Sequence, residues 1–148
     1  MANPDSVAQN TAASFGNYAI AQATTVSLGT TGNAVAALPI LSGGLTVGGN
    51  VATSGAVIVR RVTIQNPSGN LATGNVSILT SNDGNASNAI VAAATLSSLT
   101  GTGTFQDMTI AGGNVVVSGA TTQALFVKVN TAVSGTVDIR VYGDTVNF

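Results

Sequence analysis

The chain has 148 residues, of which only 6 % are charged, and its four cations and five aspartates leave a formal net charge of −1. That length suits one domain, burying roughly 70 % of the unfolded surface around a single core. Cysteine, histidine and glutamate are absent, which excludes a disulfide framework, thiolate or imidazole metal sites and any Ser-His or Cys-His relay.

Residues 1–25 hold isolated apolar side chains, Phe15, Tyr18 and Ile20, among Asn, Ser, Gln and Ala without a sustained period. They read as an N-terminal arm that orders on a neighbouring surface, the alternatives being a frayed terminus or a short helix over Ala19 to Ala23. The single domain then runs over 26–148. Val26 to Leu28 and Ala34 to Leu41 are the first strand candidates, split by the turn-rich 29–33. Pro39 lacks the N–H that a ladder needs, so this second strand is expected to lie on an edge or to stop there. The glycines of 42–44 and 48–50 have no following helix and no lysine, so they read as turn glycines and not as a phosphate cradle. Ala56 to Gln65 is a strand whose apolar phase changes midway, from Val57 and Val59 to Val62 and Ile64. A β-bulge at Arg60 and Arg61 returns both pairs to the core and turns the arginines outward.

Asn66-Pro67-Ser-Gly69 is a β-turn, and Asn75 to Thr80 a strand with Val76 and Ile78 inward. In the loop 81–87, Asn82, Asp83 and Asn85 surround Gly84 in the outline of a calcium loop, but the alternating carboxylates and terminal Glu are missing, so a turn is expected. Ile90 to Leu99 is a strand or a short helix, broken by Gly101-Thr-Gly103. Thr104 to Ile110 and Asn114 to Val117 read as strands. Residues Gln123 to Tyr142 show the cleanest alternation in the chain, and they are expected to fold as a hairpin about Ala132 and Val133. Its register sets Val129 against Val137, Val127 against Ile139 and Leu125 against Val141 inside, with Lys128 facing Asp138 and Phe126 facing Arg140 outside. The closing Phe148 is expected to be docked. Eight or nine short strands separated by turn signals make the fold class all-β: an antiparallel β-sandwich of jelly-roll or Greek-key type.

The chemistry of an enzyme is not expected. The five aspartates, Asp5, Asp83, Asp107, Asp138 and Asp144, mark no catalytic pair, and no cofactor or metal is implied. Aromatics are 4 % of the chain with no Trp, poor platforms for stacking on carbohydrate or single strands. A near-neutral surface gives no basic field for nucleic acid and little repulsion against self-association. Mean hydropathy is +0.43, yet no apolar run of about 18 residues suggests a membrane span. The start, Met1-Ala-Asn-Pro-Asp5, has no basic region leading into an apolar core, so no secretion signal is expected.

The arm, the Thr-, Asn- and Gly-rich neutral surface and the closing strands Ala124-Leu-Phe-Val-Lys-Val-Asn130 and Gly135-Thr-Val-Asp-Ile-Arg-Val-Tyr-Gly-Asp144 resemble the small decoration, or cement, proteins of tailed-bacteriophage capsids. The resemblance covers the whole chain in style, with its best local match at Val137 to Asp144. It implies a β-sandwich on the outer face of the head, a homotrimer clamping the major capsid protein, with no catalytic residues. Phe15, Tyr18, Arg60 and Arg61 are the expected capsid or subunit contacts, chosen because aromatics and Arg carry most interface energy. The rivals are a tail or fibre subunit, and a secreted or surface sandwich of lectin-like, adhesin-like or ice-binding kind.

Overall fold

The structure, a computed structural model, describes residues 18–40, 55–111, 115–118 and 124–147. Nine strands follow one another: β1 (Tyr18–Ser27), β2 (Gly32–Pro39), β3 (Gly55–Gln65), β4 (Asn75–Leu79), β5 (Ala89–Thr95), β6 (Phe105–Met108), β7 (Val115–Ser118), β8 (Ala124–Thr131) and β9 (Thr136–Asn147). One 3-10 turn, Ala86–Asn88, precedes β5. The strands form two antiparallel sheets, a β-sandwich. Sheet A has the order β1-β9-β3-β6, with β7 also pairing with β3, and sheet B has the order β2-β8-β4-β5. The pairs are nested along the chain: β4 with β5, then β3 with β6 and β7, then β2 with β8, then β1 with β9. Such a set describes one long two-stranded ribbon. Rolling it up adds the pairs β3 with β9 and β4 with β8 and so makes the two sheets.

The period-2 alternation of each strand supplies the core between them. Val57, Val59, Val62 and Ile64 of β3, Val137, Ile139 and Val141 of β9 and Leu125, Val127 and Val129 of β8 are all buried in one cluster. Each such side chain gains roughly 1.5–3 kcal/mol by leaving water. The sides of the sandwich are laced together. Ala21 makes an antiparallel bridge to Ile40 on one side. On the other, the Gln106 amide donates to the Thr95 carbonyl and accepts from the Ser98 N–H, while the Ala111 N–H donates to the Ile90 carbonyl. Chain segments 71–74 and 96–99 interlock through their backbones, and this brings Leu71, Leu96 and Leu99 fully into the core. The expected strand or helix over Ile90 to Leu99 is thus a strand as far as Thr95, followed by a turn.

The expected hairpin between β8 and β9 is not formed. Its inward residues are as read, but β8 lies in sheet B and β9 in sheet A, so Leu125, Val127 and Val129 meet the other sheet across the core. Alternation reports which face is buried and says nothing about which sheet a strand joins. The connection after β8 is tied to other turns: the Leu28 N–H donates to the Gly135 carbonyl, the Val133 N–H to the Leu28 carbonyl and the Ser68 N–H to the Thr136 carbonyl. Lys128 therefore does not face Asp138, nor Phe126 Arg140. Lys128 lies opposite Ser77 and Phe126 opposite Leu79, both on β4.

Residues 18–25, assigned to the arm by the sequence, are strand and not helix, since β1 pairs with β9 from Tyr18 opposite Gly143 to Ser27 opposite Thr136. Partnership with β9 supplies the order that this polar stretch lacks by itself. Phe15, the glycines of 42–50 and Phe148 lie outside the described residues. Pro39 is the last residue of β2, an edge strand, as its missing N–H requires.

The sheet edges share one property. The pairing of β1 is interrupted between Ala19 and Ala21 and again between Ala23 and Val26. On β2 it shifts between Gly32 and Ala36, and on β5, opposite β4, it shifts twice. The remaining edge is divided between two four-residue strands, β6 and β7. Bulges and short strands blunt edge-to-edge pairing, a role that most proteins give to edge charges and this one cannot.

Candidate functional site

Six of the nine charged residues, Arg60, Arg61, Asp107, Asp138, Arg140 and Asp144, stand on β3, β6 and β9. All belong to sheet A. The cause begins in β3, where the register against β9 shifts between Val59, opposite Gly143, and Arg61, opposite Tyr142. This is the expected bulge. Val57, Val59, Val62 and Ile64 all reach the core while Arg60 and Arg61 are exposed.

The bulge sends the two arginines to different partners. Arg60 Nε donates to Asp144 Oδ2 at 2.8 Å, a surface ion pair, worth at most about 1 kcal/mol. Beside it, Ile58 pairs with Asp144 on one flank and with Val116 on the other, and Val116 is 57 % exposed. Tyr18, opposite Gly143 on β1, brings the N-terminal segment to this same end of the sheet. Arg61 instead lays its guanidinium over the Tyr142 ring, 4.4 Å from the centroid, a cation–π contact.

Beyond Arg61 the outer face sinks into a shallow depression of about 240 Å³ between the second half of β3, β6 and β9. Its floor includes Thr63, whose hydroxyl donates to Asp107 Oδ1 on the facing strand. Gln65, Asn66 and Phe105 form the far wall. Phe105 is 63 % exposed, and with Val116 it makes up the exposed large hydrophobic residues among those described.

One carboxylate braces this region. Asp138 accepts hydrogen bonds from the Thr25 N–H at 2.9 Å and from Asn66 Nδ2 at 2.8 Å. Thr25 and Asn66, with φ of 56° and 52°, are the non-glycine residues with positive φ among those described. Left-handed backbone is unfavourable for a β-branched threonine, and the shared carboxylate offsets that cost at both positions. The Asn66 amide, then the Thr25 N–H, hold the Asp138 carboxyl below its ordinary pKa.

The outer face of sheet B is closed by the chain's own loop. Leu79 is buried yet lies outside the main core cluster, on the face opposite to Ile78, beside Phe126 and Ala89. The β4–β5 loop returns over this face, for Lys128 Nζ donates to the Gly84 carbonyl at 2.8 Å. Gly84, at φ +75°, lies so close to the Asn33 side chain on β2 that a Cβ there would overlap it. Local bonds set the loop's shape. Asp83 accepts from the Asn85 N–H at 2.9 Å and from Asn88 Nδ2, and Asn85 Oδ1 caps the 3-10 turn at Ser87 N. The Asn85 amide, foremost, lowers the Asp83 pKa. Asp83 is committed to the turn, and among the described residues no group of three or more His, Cys, Asp or Glu is placed to hold a metal.

Of the expected contact residues, Arg60 and the backbone of Tyr18 come together at one end of sheet A. Arg61 turns to the other end. Sequence reasoning missed Phe105, Asp107 and Tyr142 as neighbours, because the contacts join strands far apart in the chain, 44 residues for Thr63 and Asp107 and about twice that for Arg61 and Tyr142, with no local signal. Comparison with protein-family models, curated proteins and solved structures gives no match. Among the described residues no helix is long and apolar enough to cross a membrane.

Proposed function

We propose that this chain is a non-enzymatic structural subunit of a virus particle, which binds the outer surface of a phage capsid as a trimer and stabilises the shell by bridging copies of the major capsid protein. The nested strand pairs support a jelly-roll reading, with β6 and β7 sharing one of eight positions in a rolled ribbon. The observation that carries the reading is the end of sheet A where Tyr18 enters beside Gly143 and Arg60 and Val116 face outward. There β1 begins at Tyr18 beside an Arg-containing face, and this end of sheet A is the proposed docking end. Many modest contacts of this kind, repeated over a shell, sum to firm attachment. The interrupted edges favour association through faces and arm and not through strand addition.

Immunogold electron microscopy of the source particles, with antibody to the recombinant chain, tests the reading. Dense regular label on heads supports it. Label on tails, fibres or cell envelopes with bare heads overturns it. Mass photometry of the purified chain tests the trimer, and Arg60→Ala is expected to reduce head occupancy.

A further inference from the structure

Beyond that reading, and at the opposite end of sheet A, we infer that the depression around Phe105 is a binding site for a neutral saccharide, of the size of one sugar ring at the end of a glycan. At about 240 Å³ it falls below the roughly 300–1,000 Å³ usual for drug-sized ligands and cofactors. A shallow bowl of that size admits one ring with its neighbours in solvent.

The lining selects the chemistry. Phe105 stands 63 % exposed, an apolar plate at the rim that a sugar's C–H face would cover, removing the phenyl from water. Around it are groups that bond hydroxyls in both directions. Asp107 takes the Thr63 hydroxyl on Oδ1, and its other oxygen has no partner among the described residues. Asn66 commits its Nδ2 to Asp138 and keeps its carbonyl oxygen as an acceptor. Gln65 has an amide that makes no side-chain hydrogen bond among the described residues. Arg61 is fixed in direction by the Tyr142 ring and retains N–H donors.

Charge disfavours the other small ligands. Arg61 and Asp107 line the bowl, and Arg140, opposite Thr63 on β9, is balanced by Asp138 behind Asn66, so neither sign is in excess and an anion or a cation gains little over a neutral ligand. An uncharged lipid or aromatic ligand would bury the open Asp107 oxygen and the remaining Arg61 N–H groups unpaired, which is unfavourable. A neutral polyol satisfies both the plate and the polar groups. Asp138 contributes by position: it fixes Asn66 in a left-handed conformation that an unbraced loop would leave, so the acceptor is preset before a ligand arrives.

The test is a titration of the full chain, labelled with nitrogen-15, against four probes: galactose, glucose, N-acetylglucosamine and, as the anionic control, 3′-sialyllactose. Millimolar binding of at least one neutral sugar is expected, with shifts confined to Thr63 to Asn66, Gly103 to Asp107 and Tyr142. Phe105→Ala is expected to weaken it about tenfold, and Asp107→Asn to weaken it while leaving the spectrum folded. Phe126→Ala, on sheet B, is the control and should bind like the parent. Absence of shifts with every neutral sugar overturns the inference. So does a response to the sialylated probe alone, or undiminished binding by both Phe105→Ala and Asp107→Asn. Bare heads in the particle-labelling experiment would not bear on this outcome, since no capsid is used.

Discussion

The outer faces of the two sheets are built from similar strands and treated in opposite ways. On sheet B, residues 80–88 fold back over β4 and β8, bury Leu79 beneath them and occupy Lys128, so that face works as a second, smaller core. Among the described residues, sheet A receives no such cover. Its face keeps the charged residues, the Arg61–Tyr142 stack and an exposed Phe105. A protein with few charges thus places six of its nine on one sheet. The difference leaves sheet A, the face of the proposed contacts, with its polar and aromatic groups open among the described residues.

Chemical denaturation of single variants can break or sharpen that contrast. Gly143→Ala is expected to cost most, about 3 kcal/mol, because its Cβ would collide with the Ile58 carbonyl at the bulge between the two central strands of sheet A. A near-neutral result would mean that the bulge is slack and does not aim Arg60 and Arg61. Leu79→Ala should cost about 2–3 kcal/mol if its face is a true core; a loss under about 0.5 kcal/mol would show the loop to be a loose cover. Gly84→Ala, at φ +75° against Asn33, is expected to lose about 1 kcal/mol.

Acid should act through Asp138. Its folded pKa is lowered, so its contribution is present above the unfolded value of about 3.9 and is lost as pH falls through the folded value. Asp138→Asn should therefore be about 1 kcal/mol less stable than the parent at pH 7, the gap closing on acidification; a gap that stays constant down to about pH 2 would remove the charge from the account. Phe105→Ala is expected to change stability least, by under about 0.5 kcal/mol. A larger loss would make Phe105 part of the packing and erase the distinction between the faces.

After residue 25, strands and their inward faces were legible in the sequence because burial imposes period 2, whereas the strand over 18–25 was read as an arm. The phase change around Arg60 and Arg61 located a bulge to the residue. Pairing was not legible to the same degree. Alternation in β8 and β9 is as compatible with two strands facing across a core as with two side by side, and a four-residue connection serves either. The loop at Ser81 to Ser87 was readable as a turn from Asp-Gly and its Asn residues. Its role as a cover was not, since it depends on Lys128 and Asn33, which are distant in the chain. The depression escaped for the same reason: six aromatics in 148 residues look sparse until β3, β6 and β9 bring Phe105 and Tyr142 to one place.

The insertion of β9 between β1 and β3 also sets a timetable. β1 has no partner in sheet A except a strand more than a hundred residues later, as the 113-residue separation of Thr25 and Asp138 illustrates. At the usual elongation rate the ribosome needs roughly 6–20 s to cover that distance, during which the first strand waits unpaired while the β4–β5 tip of the ribbon, close in sequence, can form early. Zipping then runs outward from the tip, slowly, as pairings of high contact order do. The outer face of sheet A, on which the proposed contacts lie, is therefore incomplete until β9 arrives.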